Sequence, residues 1–173
     1  MANPTIIPIQ SYTVGATSVS SVTFSSILFG YTDLLVRVSA RATNASTVCN
    51  IQWTFNGSTT GYSGLELYGS GSASGTGNGG STTSYIQLGY ATGNNATAST
   101  FGNTDVYIPN YSGQSNKSIQ VDGTMETAAT GSYVDMGAGL WSNTSAIYQI
   151  TMTPTSGLWM PNSTFYLYGI NRQ

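Results

Sequence analysis

Short runs rich in Val, Ile, Thr, Tyr and Phe recur along the whole chain, each closed by a cluster of Gly, Asn, Ser or Pro. No stretch repeats apolar residues at the spacing of three and four that lays a stripe along a helix. The pattern therefore confines the chain to strands joined by turns. Strands are expected near residues 5–13, 19–28, 33–41, 48–56, 63–68, 84–90, 104–109, 117–127, 132–141, 145–153 and 163–170. Alternation is clearest in three of them. Leu34, Val36 and Val38 share one parity, with Arg37 and Arg41 on the other. Ile119 and Val121 oppose Gln120 and Asp122, and Ile147 falls out of phase with Ile150 and Met152. A period of two buries one face of a strand and wets the other. Many short strands with no helices between them predict an all-β chain, a jelly-roll-like antiparallel β-sandwich.

The length suits one domain with its own core. We read residues 13–173 as that sandwich and residues 1–12 as an N-terminal arm or an edge strand. Pro4 and Pro8 bracket Ile6, Ile7 and Ile9, and proline discourages a central strand. Those three isoleucines are the candidate contact with a partner. Residues 69–82 (GSGSASGTGNGGST) hold no large apolar side chain to offset the entropy of ordering, so a mobile loop is expected there. Gly75, Gly77 and Gly80 have the GxGxxG spacing, but no strand–turn–helix unit surrounds them, so they do not predict a nucleotide site.

Composition enters as a limit on chemistry. The chain has no histidine, one cysteine, four basic and six acidic residues. Polar catalysis rests mostly on positioned His, Asp, Glu, Lys or Cys. Without His, a Ser–His–Asp triad is impossible, and with one Cys a zinc cluster is too. The carboxylates are dispersed and show no calcium-loop spacing. Asp122 and Glu126 share a parity, read here as a solvated face near Lys117 rather than a hydrolytic pair. No enzyme activity and no cofactor are expected. A net charge of −2 offers no basic track for nucleic acid. Cys49 follows Val48 in an expected strand and reads as a buried thiol. The opening Met1-Ala2-Asn3-Pro4 lacks the marks of a signal peptide, and no apolar run is long enough to span a membrane. Synthesis in a cytoplasm is the expectation.

The aromatic residues offer a binding reading. Trp53, Trp141 and Trp159, with Tyr62, Tyr68 and Tyr90, are of the kind that stack on sugar rings. Trp53 lies in one parity with Ile51 and Phe55, which places it in the core. Trp159 stands among Pro154, Gly157 and Pro161 and is the surface candidate. Trp159, Tyr62 and Tyr68 are thus the candidate glycan contacts.

Several stretches carry a resemblance. They are Tyr31-Thr32-Asp33-Leu34 leading into VRVSARA, IQWTFNGSTTGYS at 51–63, VYIPNYSG at 106–113 followed by Lys117-Ser118, GLWSNTSAIYQITMTP at 139–154 and STFYLYGI at 163–170. Together they resemble small β-sandwich structural proteins of tailed bacteriophage virions, of the capsid decoration (cement) or head-fibre type found in cyanophages. The resemblance implies a non-enzymatic virion protein on the capsid surface, made in the bacterial host cytoplasm. It implies a homotrimer whose partners are its own copies and the major capsid protein or another virion component, with no nucleic acid and no membrane. Ile6, Ile7 and Ile9 would then face the capsid. The alternative is a carbohydrate-binding, host-recognition module of a phage fibre or tail appendage.

Overall fold

The computed structural model describes residues 5–71, 74–77, 84–128 and 131–171. The described residues form strands and no helix. In chain order the strands are β1 (Ile6–Thr13), β2 (Val22–Phe24), β3 (Asp33–Ala40), β4 (Val48–Phe55), β5 (Tyr62–Gly69) and β6 (Ser74–Gly77). They continue as β7 (Ile86–Thr92), β8 (Gly102–Ile108), β9 (Lys117–Ala128), β10 (Gly131–Trp141), β11 (Ile150–Pro154) and β12 (Thr164–Ile170). Two antiparallel sheets pack face to face, as the alternation predicts. The larger has the order β1-β12-β3-β8-β9-β10-β5-β6 and the smaller β2-β11-β4-β7. Val36 and Val38 of β3, Trp53 and Phe55 of β4, Leu88 of β7 and Leu167 of β12 are all buried in the core between them. Burying side chains of this size is worth about 1.5–3 kcal/mol each.

Several expectations are corrected. The Gly/Ser segment is not wholly loop: Ser74–Gly77 pairs with β5 at the edge of the larger sheet. Antiparallel backbone bonds need no apolar side chain, and Tyr68 covers Gly75, where a Cβ would sit 2.9 Å from the Tyr68 hydroxyl. Residues 72–73 and 78–83 lie outside the described residues. The strand expected at 19–28 shrinks to β2 because Ser26 takes a left-handed φ of 56°, and Ile27 turns into the core instead. Likewise β11 starts only at Ile150. Ile147 is buried before it, its N–H donating to the Tyr111 carbonyl at 3.0 Å. Arg41 does not share the solvent with Arg37: it is buried just beyond β3.

Among the described strands β1 is an edge paired with β12 alone, from Ile6 opposite Ile170 to Thr13 opposite Thr164. Pro8 has no N–H to give, and the register shifts between Pro8 and Gln10. Ile9, the extra residue, packs against the core, while Ile6 stays exposed and Ile7 half-buried. A proline and a bulge on an edge discourage further strand addition.

A second bulge shapes the interior. Asn50 of β4 faces Tyr90 of β7 and Gln52 faces Gln87, so Leu88 and Gly89 together oppose Ile51. Gly89 has φ 79°, the left-handed residue such a bulge requires. The kink brings the Tyr90 ring against β5 and β10. Gly89→Ala is expected to cost about 1–3 kcal/mol, since the new methyl would also stand 2.5 Å from Thr104 Cγ2. Urea unfolding checks this, and an unchanged midpoint would contradict it.

Candidate functional site

On β5 and β10 the apolar parity faces outward. Leu65 and Leu67 of β5 and Val134 and Met136 of β10 are 53, 54, 56 and 62 % exposed. Their inward neighbours are Gly64, Glu66 and Tyr68 on one strand and Asp135, Gly137 and Gly139 on the other. The inversion has a steric cause. A Cβ on Gly137 would lie 2.8 Å from Leu88, and one on Gly139 would lie 3.2 Å from Ile86. β7 presses so closely on β10 that only glycine fits between them. Met136 stands opposite Leu67 and Ala138 opposite Leu65, so the two inverted strands present one continuous aliphatic stripe.

The stripe is one third of a wider face. A single row crosses the sheet from Tyr166 of β12 through Arg37, Asp105, Asp122 and Met136 to Leu67 of β5. Six strands at the usual spacing make it roughly 24 Å long. The row divides the face into an aromatic band at Tyr166 and Tyr168, a polar band on β3, β8 and β9, and the aliphatic stripe. In the polar band Arg37 binds Asp105 through two bonds, Nε to Oδ1 at 2.9 Å and Nη2 to Oδ2 at 2.7 Å. The ion pair is open to water, and its net contribution to stability is about 0–1 kcal/mol. Asp122 stands opposite Asp105 and accepts from Gln120 Nε2 at 3.1 Å. A shallow groove of about 430 Å³ runs between the polar band and the stripe, with Arg37, Asn103, Asp122, Thr124 and Met136 along it.

A second apolar projection stands on the loop after β2. Leu28 and Phe29 are exposed, and Tyr148 beside them is exposed as well. The loop is held from below: the Tyr111 hydroxyl donates to the Leu28 carbonyl, and the Ile27 N–H donates to the Tyr148 carbonyl at 3.0 Å.

Beneath the stripe the inward face carries acids. Glu66 and Asp135 are only 4 and 3 % exposed. Glu66 Oε2 accepts from the Tyr90 hydroxyl at 3.0 Å. Burial raises the Glu66 carboxyl above its ordinary range, against the pull of the Tyr90 hydroxyl and the Gly89 N–H. Burial pushes the Asp135 carboxyl up to about 7, with the charges of Glu66 and Asp122 adding to it.

The residues singled out in the sequence are scattered. Trp159 is wholly buried, not a surface ring. Gly157, at φ 79°, reverses the chain so that Trp159 pairs with Val19 through its backbone, leaving Leu158 outside. The Trp159 indole N–H donates to the Met152 carbonyl at 3.1 Å, and its ring meets Phe165 edge-on at 5.5 Å. Tyr62 is also core: its ring stacks on Trp141 at 6.1 Å, and its hydroxyl accepts the Phe55 N–H at 2.9 Å. Tyr68 is half-buried on the inward side of β5. No shared site joins the three. Asp122 and Glu126 are exposed on one face of β9, but Lys117 is buried, its ammonium donating to the Gly113 and Ser115 carbonyls. Among the described residues no three His, Cys, Asp or Glu side chains stand close enough to hold a metal ion. The aliphatic stripe escaped sequence reasoning, although the alternation in SGLELYG and SYVDMGAGLW was its signal.

No protein-family model matches the chain, and no curated protein matches it. Among solved structures it is similar to the crystal structure of the Caenorhabditis elegans galectin LEC-6, at 10 % identity and a TM-score of 0.32, over 94 % of this chain and 96 % of that one. A likeness of that degree says nothing of what this chain binds.

Proposed function

We propose that the chain is a non-enzymatic structural subunit of a tailed-phage virion, a capsid decoration (cement) protein that works as a homotrimer on the capsid surface. The observation that carries the assembly part is the pair of adjacent inverted strands, β5 and β10. A water-facing sheet ordinarily turns its polar parity outward. Here the aliphatic parity faces out and the carboxylates face in, which suits strands whose outer face is covered by another copy. The weak net charge of −2 offers little repulsion between copies. Ile6 and the Leu28-Phe29 loop remain for the major capsid protein or another virion component, and the virion setting rests on the sequence resemblance. The mechanism is mechanical: repeated copies bridge neighbouring shell subunits and add buried area.

One observation favours a second reading, a carbohydrate-binding module of a fibre or tail appendage. The Arg37–Asp105 pair, Asn103 and Asp122 offer donors and acceptors beside the Tyr166 and Tyr168 rings. That reading no longer draws on Trp159 or Tyr62, which are buried.

Native mass spectrometry tests the assembly, with 18.1 kDa as the unit. The double variant Leu67→Lys/Met136→Lys is expected to keep its fold within about 0.5 kcal/mol per site, because both side chains are exposed, and to run as a monomer where the parent is a trimer. A variant that remains trimeric would move the contact away from the stripe. A monomeric parent would defeat the reading and leave a glycan array, with Arg37→Ala as its control, as the next measurement.

A further inference from the structure

We propose that Glu66 and Asp135 retain a proton in the folded protein and form a pH-sensitive lock beneath β5 and β10, the strands that carry the aliphatic stripe. The geometry is a cluster of two buried acids whose donors, the Tyr90 hydroxyl and the Gly89 N–H, both serve Glu66. Neither Asp135 carboxylate oxygen has a hydrogen-bond partner among the described residues, nor has Glu66 Oε1. Asp135 lies against Gly123 of β9, the residue opposite it, where any side chain would collide with the carboxylate. Two ionised carboxylates buried to this degree repel each other and lose hydration, so the folded state favours keeping one neutral.

Among the described residues no cation relieves them. The groups facing the pair are Tyr68 on β5, Tyr133 on β10, Tyr90 on β7 with Asn50 of β4 behind it, and Met125 and Gly123 on β9, with Asp122 on the outer face of β9. Thr104 of β8 turns its hydroxyl to the Tyr90 carbonyl at 3.0 Å. Arg37 is engaged outside with Asp105, and Arg41 with the carbonyls of residues 94–100. Lys117 stands six residues along β9 from Gly123, about 20 Å away at strand spacing.

The direction follows from proton counting. Burial raises both carboxyls in the folded chain, and Asp135 reaches about 7. Between the ordinary carboxyl range and pH 7 the folded state therefore holds more protons than the unfolded chain. Stability from this source is fully present at acid pH, declines as pH rises towards 7, and is spent above it. Loss of the proton loosens the two strands from below, and with them the stripe. The effect on assembly rests on the proposed self-association through that stripe, whereas the lock itself does not.

Urea unfolding from pH 5 to 8 at fixed salt is the test, with Asp135→Asn and Glu66→Gln as variants that keep shape and remove the titration. For the parent protein the folding equilibrium constant is expected to fall by up to about tenfold per pH unit below pH 7 and then to level. Each variant is expected to flatten that slope, and Asp135→Asn to exceed the parent in stability at pH 8. The parent is also expected to show a protonated-carboxyl infrared band at pH 6 that Asp135→Asn loses or weakens. A flat parent profile, or a slope unchanged in both variants, overturns the lock. If Asp135→Asn fails to fold, Glu66→Gln and the parent infrared band decide alone. A parent that shows the slope yet stays monomeric at pH 5.5 and pH 8 keeps the lock and removes the docking reading.

Discussion

Replacing Trp159 with alanine is expected to remove about 3–5 kcal/mol of stability, the usual cost of hollowing a core at a large aromatic residue. The indole is wholly buried, touches the Phe165 ring, and gives its N–H to the Met152 carbonyl. Truncation leaves a cavity and removes the indole's hydrogen bond to the Met152 carbonyl together. Its backbone also bridges Val19 and Ala42, so the damage falls where the chain ties the ends of three segments together. Urea or thermal unfolding measures the loss directly. A change below about 1 kcal/mol would mean that the ring is not packed as described. Any fall in binding to a shell or a glycan should then track the unfolded fraction rather than a lost contact.

Arg41→Met should cost about 3 kcal/mol, because its guanidinium gathers four carbonyls of a loop otherwise tied down by the Asn94 and Asn95 N–H bonds to the Asn44 and Ser46 carbonyls and by its own turns. Nη1 donates to the Thr97 carbonyl at 2.7 Å and the Thr100 carbonyl at 3.0 Å. Nη2 donates to the Asn94 and Ala96 carbonyls, both at 3.1 Å. Methionine fills much of the volume but leaves all four acceptors without that donor. Arg41→Lys is expected to recover only part of the loss, since a single ammonium cannot span the fork. Proteolysis with the loop at 94–100 as the reporter site would separate a local loosening from global unfolding. Equal protection in Arg41→Met and the parent would contradict the role given to the guanidinium.

How much of this was legible depends on which physical question the residues answer. Alternation told which side chains share a face, so Leu34, Val36 and Val38, and Trp53 with Ile51 and Phe55, were placed in the core from their own neighbours. It could not say which face of β5 and β10 turns inward. That choice is made by Ile86 and Leu88 of β7, distant in sequence, which press on Gly139 and Gly137. Trp159 departs from the sequence expectation for a related reason. Its Pro and Gly neighbours signalled a turn, which is there, but the left-handed Gly157 aims the following residues so that Leu158 and not Trp159 meets water. Arg37 and Arg41 share a parity, yet only the first is on a strand; the second lies past its end, where parity no longer fixes direction. The Gly/Ser segment lacked any apolar signal for β6, because backbone bonds to β5 hold it. Tyr62 and Tyr68 are glycan candidates by residue type alone, and type does not distinguish a ring that packs from a ring that binds.

The position of β12 between β1 and β3 has a consequence for biogenesis. β8, β9 and β10 follow one another in both chain and sheet, so they can zip as soon as they are made. Among the described strands β1 has no neighbour but β12, and β3 has only β8 until β12 arrives. Ile6 waits for Ile170. Pairings of such sequence separation slow folding, and ribosomal synthesis at ordinary rates leaves the interval between β3 and β12 on the order of ten seconds. During that interval the nascent chain exposes two strand edges together with the aliphatic stripe, which makes translation the stage at which copies of this protein are most open to joining in the wrong way.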